Sequence, residues 1–155
     1  MRNIHTNTLI SLFAWVVILG IFPGSVSAGN AISTTFFGNK AVGGYDTVAY
    51  HTAKKAVKGK KDFTTHWKGA NWLFSSAKNL QAFKANPQKY APQYGAYCAW
   101  AVAENKLVKA DPRIFDLHDG KLYLNYNAKT QKDWNADRTG MVRRGNYNYP
   151  RLIAE

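Results

Sequence analysis

Cysteine is almost missing from this chain: Cys98 is the only one in 155 residues. No internal disulfide can form, although an exported protein would normally invite one. Acidic residues are also scarce, nine against 21 lysines and arginines. Paired carboxylates for acid/base chemistry would have to come from those nine. Asp119 is better explained by a turn, and Asp111-Pro112 by turn initiation. There is no G-x-S-x-G nucleophile elbow, no phosphate-binding glycine loop and no close histidine pair of the H-x-x-x-H kind. These absences leave no catalytic constellation, and the reading is that the chain is not an enzyme. An activity without a sequence signature ranks last.

Long apolar runs are missing too, except near the N-terminus. Arg2 supplies a thin positive region, Leu9 to Phe22 an apolar run broken by Ser11 and Gly20, and Val26-Ser27-Ala28 a small-residue cleavage site. The pattern predicts a signal peptide over 1–28, a mature chain from Gly29, and a periplasmic or secreted location. The run is shorter than the roughly 20 residues a bilayer span needs, and Pro23-Gly24 ends it. No transmembrane segment is therefore expected after cleavage.

What remains is basic and aromatic. The formal charge is +12, or +11 once Arg2 is removed. Such a surface favours an anionic envelope surface or an acidic protein as partner, and no nucleic acid is expected for an exported chain. The lysines are scattered, densest from Lys54 to Lys61, which also suits plain solubility.

One α+β domain over 29–155, with a small antiparallel sheet and short helices, is the predicted architecture. Residues 29–40 read as a mobile or loosely docked lead-in, and Thr47–His51 as a strand. Phe63–Lys68 and Asn71–Phe74 flank Gly69-Ala70 as a hairpin. Ser75 or Ser76 caps a helix to about Ala85 that Asn86-Pro87 stops, and a short turn follows from Pro87 to Tyr90. Tyr97–Ala103 is apolar nearly all round and reads as a helix, on the strength of its alanines. Asp119-Gly120 joins Arg113–His118 to Lys121–Tyr126 as a second hairpin, with Leu122, Leu124 and Tyr126 on one face. Ala128 to about Arg138 reads as an amphipathic helix anchored by Trp134. The tail past Gly140 is expected to pack irregularly, and no internal repeat is expected.

Several segments together resemble the YHS domain. They are Gly43-Gly44-Tyr45-Asp46, Asp46-Thr47-Val48-Ala49, the stretch Phe74 to Phe83 followed by Asn86-Pro87 and Tyr90, Tyr94 to Ala99, and Asp119 to Tyr126. The resemblance spans about residues 36–138 and points to the exported, single-domain branch. It implies the family's strand–helix core. Metal-binding members carry cysteines at three positions that fall here on Ala49, Ser75 and Asn79. A closed structural zinc site needs four ligands, so that inherited site is not expected.

Two readings of function follow. In the leading one the chain binds a metal ion, copper before zinc, through Cys98 and His51 with His118 or His66 as helpers, since thiolate and imidazole suit those ions. His51 is favoured because its segment aligns with the family's metal edge. In the other reading the chain is a metal-free binding module. There an aromatic and basic surface, with Tyr45, Tyr50, Tyr94, Tyr97, Trp100 and Tyr123 as candidate lining, holds a small ligand, an envelope component or an acidic protein. Core packing accounts equally for Cys98 and for the aromatics.

Overall fold

The computed structural model describes residues 31–154. The predicted leader, 1–28, and the predicted mature start at Gly29 lie outside the described residues. Among the described residues the chain forms six α-helices and two antiparallel hairpins, an α+β arrangement. The order is α1 (Thr47–Ala53), β1 (Lys60–Trp67), β2 (Ala70–Phe74), α2 (Ala77–Ala85), α3 (Pro87–Tyr90), α4 (Ala99–Ala103), β3 (Asp111–His118), β4 (Lys121–Asn125), α5 (Ala128–Ala136) and α6 (Arg138–Leu152). The predicted single small sheet is two separate two-stranded sheets.

Turn chemistry builds both hairpins. Lys68-Gly69 and Asp119-Gly120 all take positive φ, between 47° and 74°, the backbone that a tight two-residue hairpin turn requires. Side-chain caps then start the helices that follow. Ser76 accepts from the Asn79 amide to begin α2, and Asn127 forms a reciprocal capping box with Thr130 to begin α5. Phe83 and Trp134 anchor these helices, both fully buried.

The two hairpin–helix units are copies of one another. Lys60 and Asp111, Ala70 and Lys121, Ala77 and Ala128, and Asn86 and Asp137 each stand 51 residues apart and begin or cap equivalent elements. Both hairpins slip register at the same place, between Lys60 and Thr64 and between Asp111 and Phe115. Trp72 stacks on Phe83 with centroids 5.0 Å apart, and Tyr123 packs tilted against Trp134 at 4.9 Å. The preceding helices correspond as well. Asp46 precedes α1 and donates its amide to the Val57 carbonyl (2.8 Å), while Cys98 precedes α4 and donates to Val108 (2.7 Å). The expectation of no repeat is therefore wrong: the duplication preserves burial and capping and few residue identities.

Other corrections have local causes. Thr47–His51 is helix, not strand, because the Asp46 carboxylate accepts from the Val48 and Ala49 amides and nucleates the turn. From Ala31 the lead-in is docked: Ile32 and Ser33 are buried, and the Ser33 amide bonds the Gly95 carbonyl at 2.7 Å. The tail is not irregular but the long helix α6, capped by Asp137 and packed along α4. Asn148 ties it there through the Val102 and Ala103 carbonyls. Tyr126 lies beyond β4 and is exposed, whereas Leu122, Tyr123, Leu124 and Asn125 are all buried, so β4 is covered on both faces. The helix expected in Tyr97–Ala103 is present as α4. None of the helices among the described residues is long and apolar enough to cross a membrane.

Candidate functional site

The fold gathers Ala49, Ser75 and Asn79 around one fully buried carboxylate, Asp46. Its Oδ1 accepts from the amides of Val48 (2.9 Å) and Ala49 (3.2 Å). Its Oδ2 accepts from the Ser75 amide (2.8 Å), the Ser75 hydroxyl (2.6 Å) and the Asn79 side-chain amide (2.7 Å). Five donors satisfy the charge that burial would otherwise penalise. α1, the end of β2 and the first turn of α2 are thereby tied together.

This donor set does not fit a thiolate metal centre. The three cysteine positions of the metal-binding pattern do converge in space, but they carry a methyl, a hydroxyl and an amide. The hydroxyl and the amide both donate to Asp46, leaving neither thiolate nor imidazole to bind an ion. Among the described residues no three of His, Cys, Asp and Glu gather as a metal-holding group.

The proposed metal ligands lie in separate settings. Cys98 is fully buried, and its thiol donates to Asn125 Oδ1 across 3.6 Å. That oxygen also accepts from the Trp100 amide (3.0 Å), and Asn125 Nδ2 donates to Gln131 Oε1 (3.0 Å). His51, near the end of α1, lies edge-on to Tyr90 with its Nε2 buried and unpartnered. Burial, then the nearby Lys54 and Lys89, holds its pKa below the usual histidine value. His66 Nδ1 lies 3.1 Å from Asn71 Oδ1 on the exposed face of the first hairpin. His118 Nε2 lies 3.5 Å from Asp119 at the second turn.

The aromatic candidates divide between core and surface. Tyr50 and Tyr123 are core residues; Tyr50 donates its hydroxyl to the Pro112 carbonyl (2.6 Å), and burial pushes its pKa far up. Trp100 bridges the two halves of the core, packing against both. Tyr97 is half-buried, with its pKa raised by burial. Tyr94 is buried, donates to Asn146 Oδ1 (2.9 Å), and forms part of a cleft of about 540 Å³ beside α6.

Tyr45 alone of the six lines an open cleft of about 660 Å³ on the seam between the two copies. Tyr126, Lys58, Lys109, Arg113 and Asp111 complete its wall. Lys58 and Lys109 are equivalent residues of the two copies, 51 positions apart, and both are exposed. The Lys58 ammonium sits 4.0 Å over the Tyr45 ring and donates to the Gly43 carbonyl. Asp111 adds little free negative charge, because Arg113 grips it in a bidentate pair with a closest contact of 2.6 Å. That guanidinium holds the Asp111 carboxyl below its ordinary pKa. The cleft is thus net positive with aromatic sides. Sequence reasoning placed the basic density at Lys54–Lys61 and missed Lys109 and Arg113. The signal that would have found Lys109 is the repeated Val-Lys of Val57-Lys58 and Val108-Lys109.

No curated protein and no solved structure matches the chain. The family model of the YHS domain does match it over residues 48–94, running from α1 through the first hairpin, α2 and α3. That span is most of the first copy and includes Ala49, Ser75 and Asn79, while the second copy lies beyond the match. Family members of this type are associated with metal binding, and the donors around Asp46 depart from that chemistry. Residues 48–94 of the chain match the YHS domain, and within that span Ala49, Ser75 and Asn79 are held around the buried carboxylate of Asp46.

Proposed function

We propose that this chain is a binding module, not an enzyme, whose ligand is a small anion with a flat apolar part held in the seam cleft. The observation that carries this reading is the cleft itself: equivalent lysines from the two copies line a space walled by Tyr45 and Tyr126. Its volume of about 660 Å³ is in the range of small-molecule sites. The cations would attract the charge, and the rings would cover the apolar part. The leader pattern in 1–28 supports an exported setting for this binding.

Thermal unfolding in the presence of benzoate, phenyl phosphate and inorganic phosphate, each against chloride at equal ionic strength, tests the reading. A ligand that binds only the folded state raises Tm with concentration. An aromatic anion is expected to raise it, and the Lys58→Ala/Lys109→Ala variant to lose that rise. No shift beyond chloride from any of the three would sink the proposal. Native mass spectrometry with copper and zinc runs beside it. One stoichiometric ion that survives mild chelation and vanishes in Cys98→Ser would restore the metal reading through Cys98 and His51.

A further inference from the structure

The most exposed large apolar side chains among the described residues are neighbours. Phe36 is 93% exposed and Phe37 81%, with their rings edge-to-face at 4.9 Å. Water contact over two whole phenyl rings is costly, and an isolated domain gains nothing from it. The turn that carries them is not loose. The Thr35 amide bonds the Lys40 carbonyl (3.0 Å), and the Thr35 hydroxyl donates to the Phe37 carbonyl (2.7 Å). Asn71 donates its side-chain amide to the Gly38 carbonyl (3.1 Å), and Asn39 donates to the Gly69 carbonyl (2.6 Å). Both the β2 strand and the first hairpin turn therefore hold the finger in place.

Lysines stand around the base. Lys40 closes the turn, and Lys68 lies in the hairpin turn to which Asn39 is tied. Lys109 donates to the Thr34 carbonyl at 3.3 Å. A convex tip of two phenylalanines needs a partner that can deform around it, whereas a folded protein would have to offer a matching pocket.

We propose that Phe36 and Phe37 form an insertion tip by which this chain docks on anionic lipid bilayers, with Lys40, Lys68 and Lys109 against the headgroups. Apolar side chains at the acyl boundary and lysines at the phosphate level are the two-part pattern of interfacial binding. This goes beyond the cleft reading and uses different residues for the apolar contact. Lys109 belongs to both sites, so a docked surface would lie beside the cleft.

The test uses the full chain with Phe37→Cys carrying an environment-sensitive fluorophore; the buried Cys98 is shielded from the label. A second chain carries the label at Lys132→Cys on α5, in the other copy. Vesicles of phosphatidylglycerol with phosphatidylcholine should shift the emission of the tip label to the blue, and vesicles of phosphatidylcholine alone should not. The α5 label should not respond to either, which separates tip insertion from any tether elsewhere in the chain. Raised salt should weaken the response. Moving the label to Phe36→Cys and adding Phe37→Ser should lower vesicle affinity at the tip about ten- to hundred-fold relative to Phe36→Cys alone. An unshifted tip label, or equal shifts at tip and α5, overturns the proposal. Emission already blue without vesicles also overturns it, since the tip would then be covered by a second copy or by the chain itself.

Discussion

The two copies solve one packing problem with different chemistry. In the first, Asp46 stands before α1 and ties it to the hairpin end and α2 through five donors. In the second, Cys98 stands before α4, and the tie runs through a neutral amide, Asn125, to the Trp100 amide and Gln131. A buried charge is strongly held only when every lone pair is used, and removing it strands all its donors at once. A neutral node costs less to bury and less to lose. The first copy is therefore the more specified, and the second the more tolerant.

Asp46→Ala should break that difference open. It leaves buried donors in α1, β2 and α2 without an acceptor and should cost about 3–5 kcal/mol. Asn125→Ala should cost about 2 kcal/mol, since fewer and neutral bonds are lost. Urea titrations of both variants against the parent give the two values. Equal losses would mean that the carboxylate hub is no stronger than its neutral counterpart.

A second contrast lies at the start of the hairpins. A Cβ added at Gly59 would stand 2.4 Å from the Leu73 backbone, whereas the equivalent residue in the second copy is Ala110, buried without difficulty. Gly59→Ala is expected to cost about 1–3 kcal/mol through overpacking. Ala110→Gly should lose about 0.5–1 kcal/mol. Thermal melts that rank these two in the opposite order would refute the tighter packing of the first copy.

How much of this was legible in the chain depends on whether the cause is local. Asp119-Gly120, Ser76 and Asn86-Pro87 act within four residues, and the hairpins and α2 lie where those signals place them. The α1 helix was hidden because Thr47, Val48 and Tyr50 favour strands, although Asp46 was a visible cap. The α6 helix was hidden by Gly140, Gly145, Asn146 and Pro150. A Cβ on Gly145 would meet the Tyr94 hydroxyl at 2.6 Å, so a poor helix former stands there for a tertiary reason. The candidate site was less legible. Asp46 meets Ser75 and Asn79 across 29 and 33 positions, a separation no spacing rule covers. Lys58 and Lys109 become one site only through the duplication, which shared burial reveals more clearly than shared letters.

Unpartnered polar atoms offer a finer comparison, because both that stand buried among the described residues lie on α1. Thr47 Oγ1 is one, in a fully buried side chain, and the matching start of α4 is Ala99. Thr47→Val keeps the shape and removes a hydroxyl without a partner. It should leave stability unchanged or raise it by about 1 kcal/mol. A loss of that size in urea would show a bond to the hydroxyl.

The other atom is His51 Nε2, and it should make the first copy sensitive to pH. Burial first, then Lys54 and Lys89, lowers the folded-state pKa below the ordinary histidine value. The unfolded chain therefore takes up a proton before the folded one does. The stability linked to His51 is fully present above the unfolded pKa and is lost as pH falls through the depressed folded value. The side chain is only partly buried, so solvent keeps the effect small. Tm should fall between pH 7.5 and pH 5, and His51→Gln should fall less over the same interval. His118→Gln supplies the second-copy control, since that imidazole faces Asp119 at the exposed turn. Parallel Tm curves for the parent and His51→Gln would show that the buried nitrogen meets its proton at no cost, and the contrast between the copies would then rest on Asp46 and Gly59 alone.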